Sequence, residues 1–305
     1  MSKSGTPRHD PIPIGEITKP PFARLPDPVQ LFSARARRFA VLAERHELAP
    51  YLRLLSRISE VQDQVRRDLP VPEMPPSELI EQFRQFAMPA LDRRRLLEDP
   101  VLKTTTDLLL TKLADVEMPD AARTGLRLAA TASEVERRAM AEQLLDKVNP
   151  PDGIAAHLFL ATALQVHLAR LASTLDITRL VPIGETLCPA CGSTPASSLV
   201  VGWPGAHGAR FCACALCGTL WHSVRIKCVL CGSTGGIAYQ EIEGGPGTIK
   251  AETCSSCQRF VKVMLQFKNP EFEPIADDVA SVGLDMLVSE TGFRRGGFNP
   301  FLVGY

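Results

Sequence analysis

The sequence predicts an α+β protein: an N-terminal all-α helical domain, two tandem zinc-ribbon-type four-cysteine β modules, and a C-terminal helical tail. Three observations carry this. All nine cysteines lie between Cys188 and Cys257, and residues 1–187 have none. Before residue 182, apolar residues recur at helical spacing. After residue 183, Gly, Ser, Thr and Cys replace Leu, Ala and Arg, and short β-prone runs separate the cysteine pairs.

At 305 residues the chain is long enough for two or three domains. Lys plus Arg and Asp plus Glu are balanced at 34 each, which argues against bulk attraction to nucleic acid or anionic membrane. Residues 1–25 hold Pro7, Pro11, Pro13, Pro20 and Pro21, so they read as an extended, mobile arm. This polar start has no apolar segment of signal-peptide type. The most apolar stretch, Ile154 to Val166, is interrupted by His157 and is short for a bilayer. A soluble cytoplasmic protein without membrane insertion is expected.

Residues 26–182 read as helices. Phe32, Ala36, Phe39 and Ala43 share one face, and Leu55, Ile58, Val61 and Val65 share another. Four prolines between Leu69 and Pro76 stop that helix. Leu79, Ile80, Phe83, Phe86 and Ala87 begin the next. Ser133 with Glu136 is a capping box, since each side chain satisfies an orphan amide of the other at a helix start. It places a helix over 134–148, closed by Asn149-Pro150-Pro151. Ile154 to Leu175 is apolar nearly all round, as in the centre of a bundle.

Residues 183–223 and 224–268 form the two cysteine modules. Their expected strands are 198–201, 221–226 and 260–264. Residues 269–305 form the tail, with one amphipathic helix over Ala276 to Ser289 placing Val279, Val282, Met286 and Leu287 on one side. The modules hold seven basic and four acidic residues, the tail two basic and six acidic. The tail is read either as folding back on the ribbons or as a solvated acidic strap.

The cysteines fall into four C-x2-C pairs: Cys188/Cys191, Cys214/Cys217, Cys228/Cys231 and Cys254/Cys257. The same 22-residue gap separates the first two pairs and the last two, so the pattern repeats at an offset of 40. Cys191-Gly192-Ser193-Thr194 recurs as Cys231-Gly232-Ser233-Thr234. This internal duplication indicates the pairing: Cys188, Cys191, Cys214 and Cys217 as site 1, and Cys228, Cys231, Cys254 and Cys257 as site 2. Two residues between cysteines aim both sulfurs of a tight turn at one ion, and a following glycine lets amides face the sulfurs. Gly192, Gly218 and Gly232 fit, whereas Gln258 makes the last knuckle less ideal. Four sulfurs leave no open coordination position, so a structural role is the default over catalysis. The set suits zinc, the commoner occupant of cytoplasmic ribbons, and equally iron.

Cys212 falls outside the duplication and reads as a spare thiol. His157 and His167 are ten residues apart on one helix, roughly 80° around its axis, and so do not form a metal pair. His222 follows Trp221 between the modules and reads as a strand histidine. The sequence has no Gly-rich phosphate loop, G-x-S-x-G elbow or H-x-E motif, so no enzyme activity is indicated.

Several segments resemble the formate dehydrogenase accessory protein family, FdhE. They are Cys188-Pro189-Ala190-Cys191-Gly192-Ser193, Trp221-His222 running into Arg225-Ile226-Lys227-Cys228, and Lys250-Ala251-Glu252-Thr253-Cys254. The match continues in Glu273 to Ser281 and in Asn299-Pro300-Phe301-Leu302, so it covers about 185–302. The resemblance implies a cytoplasmic accessory factor, itself not an enzyme, that binds the catalytic subunit of a formate dehydrogenase during maturation. It implies rubredoxin-like sites on the eight paired cysteines, two metal ions per chain, and a choice tipped narrowly to iron, with zinc the alternative. It assigns no role to Cys212 and no partner-binding residue. A groove between a helical block and a ribbon block is the expected client site. The alternatives are a rubredoxin-like electron-transfer protein and a zinc-ribbon nucleic-acid binder, the latter disfavoured by the absence of a basic stripe.

Overall fold

A computed structural model describes residues 19–146, 153–184 and 186–303. The structured chain starts with a two-residue strand, β1 (Ala23–Arg24), followed by helices α1 (Leu31–Leu42), α2 (Ala49–Asp68), α3 (Ser77–Gln85), α4 (Pro100–Leu113), α5 (Asp120–Thr131), α6 (Glu134–Asp146) and α7 (Ile154–Ala172). Strands β2 (Ser197–Val200), β3 (Arg210–Ala213), β4 (Leu220–Ser223), β5 (Ile237–Gln240), β6 (Ile249–Cys254) and β7 (Arg259–Leu265) come next. The chain closes with α8 (Ala276–Ala280), α9 (Val282–Glu290) and β8 (Arg294–Arg295).

The helical stripes land where expected. Phe32, Ala36 and Phe39 of α1 are buried, as are Leu55, Ile58, Val61 and Val65 of α2. The capping box forms: the Ser133 amide donates to Glu136 Oε2 at 2.8 Å, and the Glu136 amide donates to Ser133 Oγ at 3.3 Å. Its closing Asn149-Pro150-Pro151 lies outside the described residues. Helix α3 buries Ile80 but stops at Gln85, leaving Phe86 exposed. Helix α7 is 19 residues long, three short of the expected end at Leu175, and by length and composition alone it is enough to cross a membrane. Here it is largely buried, flanked by α2, α4, α5 and α6.

The two cysteine modules fuse into one sheet. Its order is β1-β4-β3-β2-β7-β6-β5, with β8 alongside β7. The duplication is visible in it, because an offset of 40 carries β2, β3 and β4 onto residues of β5, β6 and β7. The two copies join head to tail where β2 runs parallel to β7 (Ser197 opposite Lys262, Val200 opposite Leu265). At one end of the sheet, Ala23 and Arg24 pair with Trp221 and Leu220 of β4. The end of the expected mobile arm is therefore a strand, with Ala23 1% exposed; residues 1–18 of that arm lie outside the described residues.

The tail departs from the expected single helix, and of the two readings of its charge the fold-back one holds. It breaks at Ser281 into α8 and α9, which resets the register. Leu284 and Val288 therefore point inward, while Met286 and Leu287 are exposed. Four of the tail's six carboxylates are drawn inward, while Glu271 and Glu290 stay exposed. Asp278 and Asp285 meet the fully buried Lys262 of β7 at 3.1 and 2.5 Å, and both also bind Arg295. Asp277 binds Arg38 of α1 at 2.6 Å, and Glu273 binds Arg35 at 3.1 Å. Burying these charges is affordable only because each has a partner.

The tail thus fills the seam where a client groove was expected. Ile275, Ala276, Val279 and Phe301 share one apolar cluster with the helices and with Ala196 and Ala215 of the first module. The Tyr51 hydroxyl donates to the Phe301 carbonyl at 2.6 Å, and His46 meets the Ala280 carbonyl at 2.8 Å. A cavity of about 220 Å³ beside Cys214 is left at this seam.

Candidate metal centres

Four tight turns place the eight paired cysteines. In three of them the cysteine carbonyl accepts from the glycine four residues on: Cys188 from Gly192 and Cys228 from Gly232 at 2.8 Å, Cys214 from Gly218 at 3.1 Å. These glycines have φ of +72°, +76° and +75°, a backbone region that side chains disfavour. Space matters as well: a Cβ at Gly192 would lie 2.6 Å from Pro89, and one at Gly218 would lie 2.8 Å from Leu31. The fourth turn follows the same path with a side chain present, since Gln258 adopts φ +53°.

The structure brings together the two sets of four that the spacing indicated. In each set the sulfurs lie within 4.8 Å of one another. In site 1, Cys188 and Cys217 sulfurs are 3.6 Å apart and those of Cys191 and Cys214 3.5 Å. In site 2, the Cys228–Cys257 and Cys231–Cys254 separations are 4.0 and 3.8 Å. A tetrahedron with metal–sulfur bonds of about 2.3 Å has edges of about 3.8 Å, which these values bracket. They are far longer than a disulfide bond of about 2.05 Å. The donor set and its shape fit one ion each, and each cluster could bind a metal. Backbone amides support the sulfurs: that of Cys217 lies 3.4 Å from Cys214 Sγ, and that of Leu230 lies 3.4 Å from Cys228 Sγ. Such contacts offset thiolate charge.

The sulfurs of each cluster act on one another's ionisation. Burial drives the Cys188 thiol well above its usual range. Burial also opposes ionisation of Cys214, but contacts from Cys188, Cys191 and Cys217 carry it well below that range. In site 2, burial is outweighed at Cys254 by amides of Cys257 and Ser256, bringing it to about 7. The thiolate is the form that binds a metal, and amides aimed at the sulfurs favour it.

The two sites differ in their surroundings. Site 1 cysteines are 0–1% exposed and belong to an apolar cluster with Leu168, Ala172 and Leu175 at the end of α7. The helical part also grips the first turn through its backbone: the Ala90 and Leu91 amides donate to the Pro189 and Ala190 carbonyls at 3.3 and 2.8 Å. Gln62 of α2 donates to Gln165 of α7 at 2.9 Å, and Gln165 donates to the Ala215 carbonyl inside the second turn at 2.8 Å. Sequence reasoning missed these glutamines. The available signal was an amide inside an otherwise apolar stripe, in both α2 and α7. Site 2 is at the surface, with Cys231 exposed and Cys257 half-buried.

The remaining candidates stand apart. Cys212 lies on β3 opposite Trp221, outside both clusters, and burial pushes its thiol up to about 11. The His157 ring contacts the Gly153 carbonyl and Gln143 Oε1 at 3.0 and 2.7 Å. His167 is buried 3.4 Å from Asp99, and burial lowers it to about 4. His222 is a half-buried strand residue whose ring meets Phe211 edge-on at 5.7 Å.

Three family models match the chain in succession: FdhE N-terminal over residues 20–185, the FdhE central domain over 187–225, and the FdhE C-terminal domain over 226–302. A protein FdhE homolog of Rhizobium meliloti is 43% identical over 97% of both chains. One from Cronobacter sakazakii is 35% identical over 89% of this chain and 88% of its own. The crystal structure of the FdhE protein from Pseudomonas aeruginosa superposes with a TM-score of 0.84 at 32% identity, covering 93% of this chain and 99% of that one.

Proposed function

The chain belongs to the FdhE family, the formate dehydrogenase formation proteins, and we propose that it is a cytoplasmic accessory factor that binds a formate dehydrogenase catalytic subunit during maturation. The observation that carries this reading is the family match across all three stretches of the chain. In this reading the protein is a holding chaperone and not itself a dehydrogenase. Cys188, Cys191, Cys214 and Cys217 hold one ion, and Cys228, Cys231, Cys254 and Cys257 hold the other. Iron is narrowly favoured over zinc at both. With four sulfurs on each ion, no position is open for substrate, so the ions stiffen the surfaces that meet the client.

The test is an anaerobic pull-down with the full chain as bait, from cells making formate dehydrogenase, with elemental analysis of the bait. The reading expects the catalytic subunit to be captured by bait carrying about two metal ions per chain. Metal-loaded bait that captures no dehydrogenase subunit contradicts it.

A second reading is electron transfer, favoured by one observation: Cys231 brings site 2 to the surface, within reach of a redox partner. It expects a reversible visible absorption change at an iron-loaded site 2 on reduction, with exchange to a physiological donor.

A further inference from the structure

The head-to-tail duplication leaves one strand without the neighbour that its counterpart has. In the first copy, the outer side of β2 is covered by β7, and all four β2 residues are buried. In the second copy, β5 occupies the position of β2, with β6 on one side and, among the described residues, no strand on the other. Ala238 and Tyr239 of β5 are exposed accordingly. At the opposite end of the sheet β1 lies against Leu220 and Trp221 of β4, whereas among the described residues no strand lies outside β5.

The open edge is also undefended. Sheet edges are commonly blunted by charge, proline or a bulge. From Ser233 to Gln240 there is neither a charge nor a proline. The Gly236 carbonyl accepts from the Ser255 amide at 2.9 Å, so Gly236, Ala238 and Gln240 are the hydrogen-bonded positions against β6. Alternation then turns the amides of Ile237 and Tyr239 toward the open side.

A groove of about 490 Å³ adjoins this edge on one face of the sheet. Its wall carries Arg225, Lys250 and Lys268 together with the rings of Tyr239, His207 and Phe267. The Arg210 guanidinium in it is already neutralised by Glu252 at 2.6 Å, and the Lys250 ammonium pairs with Glu241 at 2.9 Å, which leaves Arg225 and Lys268 as its cations for a client. The groove therefore presents positive charge and aromatic surface to whatever lies along β5.

We propose that β5 is the client-docking edge: an extended segment of the client polypeptide adds to the sheet beside β5, parallel to it as β7 is to β2. Its backbone meets the Ile237 and Tyr239 amides, and an acidic side chain of it enters the groove toward Arg225 and Lys268. Backbone bonding along the strand supplies affinity, and the groove supplies choice of segment. This rests on the accessory-factor reading and names the surface that reading lacks now that the tail fills the seam.

The experiment uses the full metal-loaded chain and a formate dehydrogenase catalytic subunit, under anaerobic conditions. Ile237→Pro removes an outward amide and no bond to β6, while Ala238→Lys places a charge on the edge. Each is expected to weaken capture about tenfold or more while retaining wild-type metal content. Hydrogen exchange on the wild-type chain supplies a readout independent of any variant: the Ile237 and Tyr239 amides should slow when the client is bound. If wild type captures the subunit but these amides are unaffected and both variants bind equally well, the edge proposal is overturned and the accessory reading stands. If wild type captures nothing, both fall. A concentration-dependent dimer lost in Ile237→Pro, with client capture untouched, overturns the proposal in favour of a second copy at this edge.

Discussion

Sites 1 and 2 are copies of one pattern with the same ligand spacing, yet they occupy opposite environments. Site 1 lies in the protein core, with the end of α7, the loop after α3 and two buried glutamines against it. Site 2 has β6 and β7 behind it and solvent in front of Cys231. Four cysteines at fixed spacing specify a coordination shape. What surrounds that shape decides whether a bound ion would be a fastener for the whole chain or a local clip at the surface.

The strongest way to break this comparison is to delete one sulfur from each site. Cys188→Ala should prevent folding, because an ion of this kind contributes on the order of 10 kcal/mol, comparable to a whole domain's net stability. Cys231→Ala should retain far-UV circular dichroism and about one ion per chain, losing only local order around site 2. Thermal unfolding with elemental analysis reads both. Equal damage from the two variants would remove the distinction. A smaller effect is expected from Gln165→Leu, which strips the buried donor from the Ala215 carbonyl. An orphaned buried acceptor costs about 1–3 kcal/mol, measurable by urea unfolding, and metal loss should quicken at site 1 without change at site 2. The smallest effect is Gln258→Gly. Relief of the left-handed backbone at φ +53°, worth about 1–2 kcal/mol, is partly offset by glycine's greater freedom when unfolded. Stopped-flow metal release should show a modest slowing at site 2 alone.

What the sequence made legible was local or periodic. The Ser133–Glu136 box, the stripes of α1 and α2, and the pairing of all eight cysteines followed from spacing within short windows or from the duplication. What it hid depended on distant partners. The strand at Ile237–Gln240 has no charge pattern to mark it, and the parallel β2–β7 junction joins residues more than sixty positions apart. The tail was left between two readings, because Asp277, Asp278 and Asp285 look like solvent-facing charges until Arg38, Lys262 and Arg295 are brought against them. The duplication held unused information, since shifting the expected strand 198–201 by 40 would have marked residues 238–241 and so most of β5.

The most direct test of the comparison is a chelator challenge of the intact two-ion chain, following free metal and folded structure together. The account predicts two steps: one ion per chain leaves first with circular dichroism unchanged, and the second leaves slowly as the chain unfolds. Cys231→Ala should lack the first step and keep the second. Release of both ions at one rate, or early unfolding with the first ion, would contradict it.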